Sequence, residues 1–254
     1  MRRAGPHRTG LGSALALLVV LGALATACGG SKEPSAPPSG STAVSFASAD
    51  GVTLEGRLFG GGEIGVVLSH MLPADQTSWW GFADQLAGEG YLVLTYDFRG
   101  YCPGGDAGCS KGEKNIDAIW QDVLGAIDFI RSQGAQRVVL AGASMGGTAS
   151  LVAAAQPGVD VGAVVTLSAP TSIEGLTADA EVLTHVAVAK LFIAGAGDGQ
   201  AADSAQTLYD QSPPPKRLEI LATGDHGTDI LDGNQSGPAR SLIIDFLAQR
   251  SEEP

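Results

Sequence analysis

The sequence predicts a single α/β domain built around buried parallel strands, and three observations carry that expectation. The short apolar run Val138-Val139-Leu140-Ala141 passes through a small-residue turn into the helix-forming stretch Thr148 to Gln156. Ile64 to Ser69, IGVVLS, is continuously apolar, the pattern of a strand covered on both faces. Between such runs, Ile116, Ile119, Trp120, Val123, Leu124, Ile127 and Ile130 fall on one face of a helix. With 254 residues, 44% of them hydrophobic, the chain can enclose one sizeable core. A single domain of about 200 residues is within the usual range.

The N-terminal end has a different character. Residues 1–27 carry Arg2, Arg3 and Arg8, an apolar run from Leu11 to Leu24, and the small residues Ala25-Thr26-Ala27 before Cys28, the layout of an export signal peptide. The apolar run is shorter than the roughly 20 residues that span a bilayer. Small residues ending in cysteine resemble a bacterial lipobox, which implies lipidation of Cys28, with Ala25 standing where Leu is usual. Cleavage at Ala25-Thr26-Ala27 as an A-x-A site, giving a freely secreted chain, stays open. Gly29 to Thr42, rich in Gly, Pro and Ser, reads as a polar tether, so residues 28–43 form a lipidated cysteine with its linker and residues 44–254 the folded domain.

The chain carries a formal net charge of −12, and all three signal-peptide arginines precede the first acidic residue. So acidic a surface is a poor partner for nucleic acid. Cys102 and Cys109, an even pair in an exported chain, point to a disulfide.

Within the domain, Val44 to Phe59 reads as a hairpin about the two-residue turn signal Asp50-Gly51. Thr77 to Gly88 has helical spacing, with Trp79, Trp80, Phe82, Ala83 and Leu86 as packing residues. Tyr91 opens the next strand, YLVLTYD. Asn115 is placed to cap the following helix and Gly134 to end it. Val161 to Leu167, Lys190 to Ala194 and Leu218 to Ala222 are further strands, and Ser241 to Leu247 is a closing amphipathic helix. Between Ala169 and Lys190 there is room for little more than one short helix.

The chemistry-bearing stretch is Gly142-Ala143-Ser144-Met145-Gly146, a G-x-S-x-G pattern set between a strand and a helix. A serine hydroxyl attacks a carbonyl only if it stands clear of the sheet edge, which requires a sharp turn with small neighbours. This segment resembles the nucleophile elbow of the α/β-hydrolases, in particular the dienelactone-hydrolase-like and serine-aminopeptidase-like branches. The resemblance covers most of Val44 to Ala248. It implies a mostly parallel twisted sheet of about eight strands with helices on both faces and a minimal lid, and a triad in the order Ser, acid, His.

Asp198 follows an apolar run at a strand's carboxyl end, where ligands gather in open parallel sheets. His226, in Thr223-Gly224-Asp225-His226-Gly227 after the last strand, is the histidine in triad position. His7 falls in the signal segment, His70 in a loop where a buried structural imidazole is expected, and His185 in the lid region. Glu174 is the fallback acid, and Asp225 is read as a turn former. By resemblance, the backbone N–H groups of Met71 and Met145 would form an oxyanion hole, with Met71 where the family usually has Gly. Asp97-Phe98-Arg99-Gly100 resembles the family's D-x-R-G segment, and Asp97 and Arg99 are expected to form a structural ion pair.

The resulting expectation is a serine carboxylesterase acting on a small-molecule ester through Ser144, Asp198 and His226. It would be exported and held at the outer face of the cell membrane by a lipid on Cys28. Dienelactone hydrolases proper use Cys at the elbow, so the serine favours ester cleavage. An amide or peptide hydrolase, an acyltransferase on the same triad, and a binding protein on an inactive hydrolase scaffold remain open. No cofactor or metal is expected: the sequence shows neither a metal-ligand cluster nor a Walker loop, and Gly195-Ala196-Gly197 lacks the later glycine of a dinucleotide site.

Overall fold

The computed structural model describes residues 36–251. The expected signal segment, Cys28 and the first half of the tether, to residue 35, lie outside the described residues. In chain order the strands are β1 (Thr42–Ala47), β2 (Thr53–Gly60), β3 (Ile64–Ser69), β4 (Leu92–Tyr96), β5 (Arg137–Ala143), β6 (Ala163–Leu167), the short β7 (Ser172–Ile173) and β8 (Leu176–Thr177), β9 (Ala189–Gly195) and β10 (Lys216–Leu221). The helices are α1 (Trp80–Gly88), α2 (Trp120–Ser132), α3 (Met145–Ala154), α4 (Ala180–Thr184), α5 (Gln200–Gln211) and α6 (Ser236–Ser251).

Eight strands form one sheet in the order β1-β2-β4-β3-β5-β6-β9-β10. β1 pairs antiparallel with β2 and β2 with β4, while every pairing from β4 to β10 is parallel. This is the expected fold class. Strand residues alternate between two apolar layers, as a pleated strand with both faces covered must. Val67, Leu140, Val164 and Phe192 face the layer that holds α2, α3 and α5. Val66, Val139, Val165 and Leu191 face the layer that holds α1 and α6, where Trp79 and Trp80 are buried as packing residues.

Several local expectations are refined. The first strand begins at Thr42, two residues before the expected hairpin start at Val44, and Arg57 fastens the turn before it by donating from Nε to Ser41 Oγ at 2.9 Å. The hairpin forms, but residues 48–52 make its connection. Ser48 N–H donates to Val52 O at 2.8 Å, a longer loop than Asp50-Gly51 alone would need. Asn115 makes no side-chain cap. A 3-10 turn over Ile116–Ala118 leads into α2 instead. The segment between β6 and β9 holds α4 and a two-stranded ribbon of β7 and β8, and no larger insertion.

The expected pair between Asp97 and Arg99 does not form. β4 ends at Tyr96 and the two side chains diverge from there. Asp97 accepts from Gln76 N–H at 2.9 Å and Gln76 Nε2 at 3.0 Å. Arg99 reaches Asp50 in the hairpin loop at 2.6 Å and Asp122 on α2 at 2.7 Å. One guanidinium thus joins three segments, with Nε and Nη2 both donating to Asp122 Oδ1. Contact with Arg99 holds the Asp50 carboxyl down at about 2, and the two carboxylates push the guanidinium further toward its charged form.

Asp122 is fully buried, so removing its cation strands a charge. Arg99→Ala is expected to lose about 3–5 kcal/mol of folding free energy by urea titration, the range for breaking a buried pair. An unchanged midpoint would remove this interaction from the account of the fold.

Candidate active site

β5 ends in a turn whose apex is Ser144, with φ 47° and ψ −117°. A non-glycine residue in the left-handed region is strained and persists only where its surroundings over-determine it. Here they do. Ser144 N–H donates to Leu167 O at 2.7 Å, tying the apex to β6. The chain around it is packed backbone to backbone: a Cβ on Gly142 would overlap Gly146 O, and one on Gly146 would overlap Ser69 O at the end of β3. The two glycines of G-x-S-x-G are therefore required by close approach, and they set α3 directly behind the serine.

Two strands further along the sheet, β9 delivers Asp198. The last strand, β10, delivers His226 through a turn in which Thr223 Oγ donates to Asp225 Oδ2 at 2.6 Å and accepts from Asp225 N–H at 3.1 Å. Asp225 is thus a turn former, as expected. Gly197 N–H donates to Thr223 O at 2.8 Å, which lashes the acid loop to the histidine loop. The imidazole Nδ1 then lies 2.9 Å and 2.8 Å from the two oxygens of Asp198. That geometry fixes the ring and leaves Nε2 as the ring nitrogen not bonded to Asp198.

Ser144, Asp198 and His226 line one cleft of about 400 Å³, together with Pro170 and with Gln200 and Ser204 of α5. Ser144 is 8% exposed and the His226 side chain 40% exposed, so the serine is recessed and the imidazole is open to water. No hydrogen bond joins Ser144 Oγ to His226 among the described residues. Such contacts are often long before substrate arrives and tighten in its presence.

Met145 is the first residue of α3, where the N–H has no carbonyl one turn back to bond. Met71 follows β3 in the loop lying against the elbow, and its sulfur packs on the histidine loop, accepting from Thr228 Oγ1 at 3.6 Å. His70 is a structural imidazole: wholly buried, with Nδ1 3.0 Å from Met71 O and Nε2 accepting from Phe98 N–H at 3.1 Å. Burial pushes its pKa down to about 4. Burial raises that of nearby Asp97 to about 7.

Glu174, the fallback acid, sits exposed in the turn between β7 and β8, and His185 follows α4; neither lines the cleft. Cys102 and Cys109 are joined by a disulfide. Ser168 is a site residue that sequence reasoning missed. It follows β6 with φ 54°, donates from Oγ to Asp198 Oδ2 at 2.6 Å, and accepts from Gly227 N–H at 3.1 Å. Its only signal in the sequence is its place just after an apolar run.

A family model described as the alpha/beta hydrolase fold matches residues 65–241. The chain belongs to this family. The α/β-hydrolase chain finds no match among curated protein sequences. Its fold superposes on solved structures. An esterase of Pyrococcus furiosus gives a TM-score of 0.66 over 82% of this chain and 90% of its own at 16% identity. A thermophilic esterase from Thermogutta terrifontis gives 0.66 over 82% and 99% at 16% identity. The enol-lactonase from Burkholderia xenovorans gives 0.62 over 80% and 99% at 20% identity. At such identities the likeness shows the shared hydrolase fold.

The His70 pKa has a measurable consequence. The folded imidazole stays neutral down to about 4, whereas an unfolded one binds a proton below its ordinary value of 6.5. This stability contribution is present above pH 6.5 and is lost as pH falls toward 4. The loss amounts to about 3 kcal/mol. Urea titrations of the native protein and of His70→Asn across that window are expected to converge as pH falls. Parallel curves would show that His70 does not titrate differently in the folded state.

Proposed function

We propose that this hydrolase cleaves a carboxylic ester through an acyl-enzyme on Ser144. The observation that carries the reading is the His226–Asp198 contact, through both carboxylate oxygens, in the cleft that the strained Ser144 also lines. His226 Nε2 takes the proton of Ser144 Oγ as that oxygen bonds to the acyl carbon, and Asp198 stabilises the imidazolium. The N–H groups of Met145 and Met71 receive the oxyanion, the donor type whose loss costs about 10²–10³ in turnover elsewhere. Collapse of the tetrahedral intermediate expels the alcohol, which takes the proton from His226. Water then adds to the acyl carbon with His226 as base, releasing the acid and restoring Ser144 Oγ–H.

The exposure of His226 and the small lid suit a site that water reaches readily. That two structural neighbours are described as esterases and a third as an enol-lactonase, whose name implies a cyclic ester, supports an ester over an amide. In the same reading, residues 1–27 direct export and Cys28 bears the lipid, so the domain works at the outer face of the membrane on a tether ending near Ser41. The Cys102–Cys109 bond fits an oxidising compartment.

Ser144→Ala is expected to lower kcat on p-nitrophenyl esters by on the order of 10⁴–10⁶. It is also expected to abolish labelling by a fluorophosphonate probe, and p-nitrophenyl esters should outpace aminoacyl anilides. Full activity in the variant, or native protein that the probe never labels, would overturn the reading.

A further inference from the structure

Ser168 brings to the cleft a hydroxyl that is not the nucleophile's. Ser168 stands between the strand that carries Ser144 and the strand that leads to Asp198, and backbone bonds tie it to both neighbours. Ser144 N–H donates to Leu167 O at 2.7 Å, and Ser168 N–H donates to Ile193 O at 2.8 Å. Its side chain is buried, yet its single hydroxyl uses both of its capacities on the machinery beside it. It donates to Asp198 Oδ2 at 2.6 Å and accepts from the N–H of Gly227, the residue after His226, at 3.1 Å.

The backbone here is held at φ 54°, in the left-handed region that glycine adopts freely and serine does not. Strain kept at a buried polar position beside a candidate site calls for a compensating role. We infer that Ser168 is a positioning residue of this hydrolase, its hydroxyl clamping the Asp198 carboxylate and the His226 loop into one register so that the imidazole meets Ser144.

A hydrogen bond to a charged carboxylate is short and directional, and it fixes the plane of the carboxylate where the backbone alone would let it turn. The bond from Gly227 sets where the chain leaves His226. Ser168 thus acts on the acid and the base together, through its bonds to Asp198 and to the N–H of Gly227. The inference rests on the esterase reading, since it concerns the same site.

Two substitutions separate the hydroxyl from the backbone strain. Ser168→Ala removes the hydroxyl and keeps the strain, whereas Ser168→Gly removes both. If the hydroxyl positions the acid, both variants lose kcat on p-nitrophenyl acetate by a similar factor, about 10–100-fold, with KM within twofold of native. Their melting temperatures differ, the glycine variant being the more stable of the two. In an Asp198→Asn background the loss of Ser168 has little further effect on kcat, because residues that act as one unit are not additive.

The assignment is overturned if Ser168→Gly keeps native kcat, or if kcat follows melting temperature across the two variants. It is equally overturned if the Ser168 and Asp198 effects multiply. Should Ser168→Ala fail to fold, Ser168→Gly and the Asp198→Asn pair decide alone. Fluorophosphonate labelling of the native protein keeps the two claims apart: labelled native enzyme with an indifferent Ser168→Gly sinks the positioning role only, and unlabelled native protein sinks the esterase reading.

Discussion

The molecule is organised around a backbone approach that leaves no room for a side chain. α3 is seated against β5 and the end of β3 so closely that a Cβ at Gly142 or Gly146 would overlap a carbonyl oxygen. Ser144 pays for that closeness with a positive φ, and the bond from its N–H to Leu167 O holds it there. The turn therefore presents a recessed hydroxyl above the sheet edge, with the first N–H of a helix beside it. Strain at one residue and glycine at two others are parts of the same constraint.

From that apex the sheet hands polar groups across neighbouring strands. β6 leads to Ser168, β9 to Asp198 and β10 to His226, each beyond the carboxyl end of its strand. Residues far apart in the chain meet because parallel strands bring their carboxyl ends to one rim. On the far side of the elbow the loop after β3 is supported by a neutral buried His70, which leaves Met71 packed on the histidine loop. The cleft is thus braced from both flanks.

How much of this could be read from the residues depends on whether a feature is local. The buried strands announce themselves because both faces are covered, so IGVVLS and RVVLAGA are apolar without alternation. Ser144, Asp198 and His226 are each the conspicuous polar residue after such a run, and the structure brings all three to one cleft. Arg99 has no comparable signal: its partners Asp50 and Asp122 lie 49 and 23 positions away, and the nearer Asp97 turns instead to Gln76. Ser168 was hidden for the same reason, since its bonds depend on which strands are neighbours in the sheet. The hairpin was legible as a hairpin, but its loop length was decided by Ser48 and Val52 and not by Asp50-Gly51 alone.

The central claim is that an acyl group is carried on Ser144 between two halves of one reaction. Rapid quenching during the first turnover of a p-nitrophenyl ester, followed by intact-mass and peptide analysis, tests it directly. The account predicts a burst of nitrophenol equal to the enzyme present and a single acyl adduct on the peptide that holds Ser144. Turnover with no adduct, or an adduct on any other residue, would contradict it.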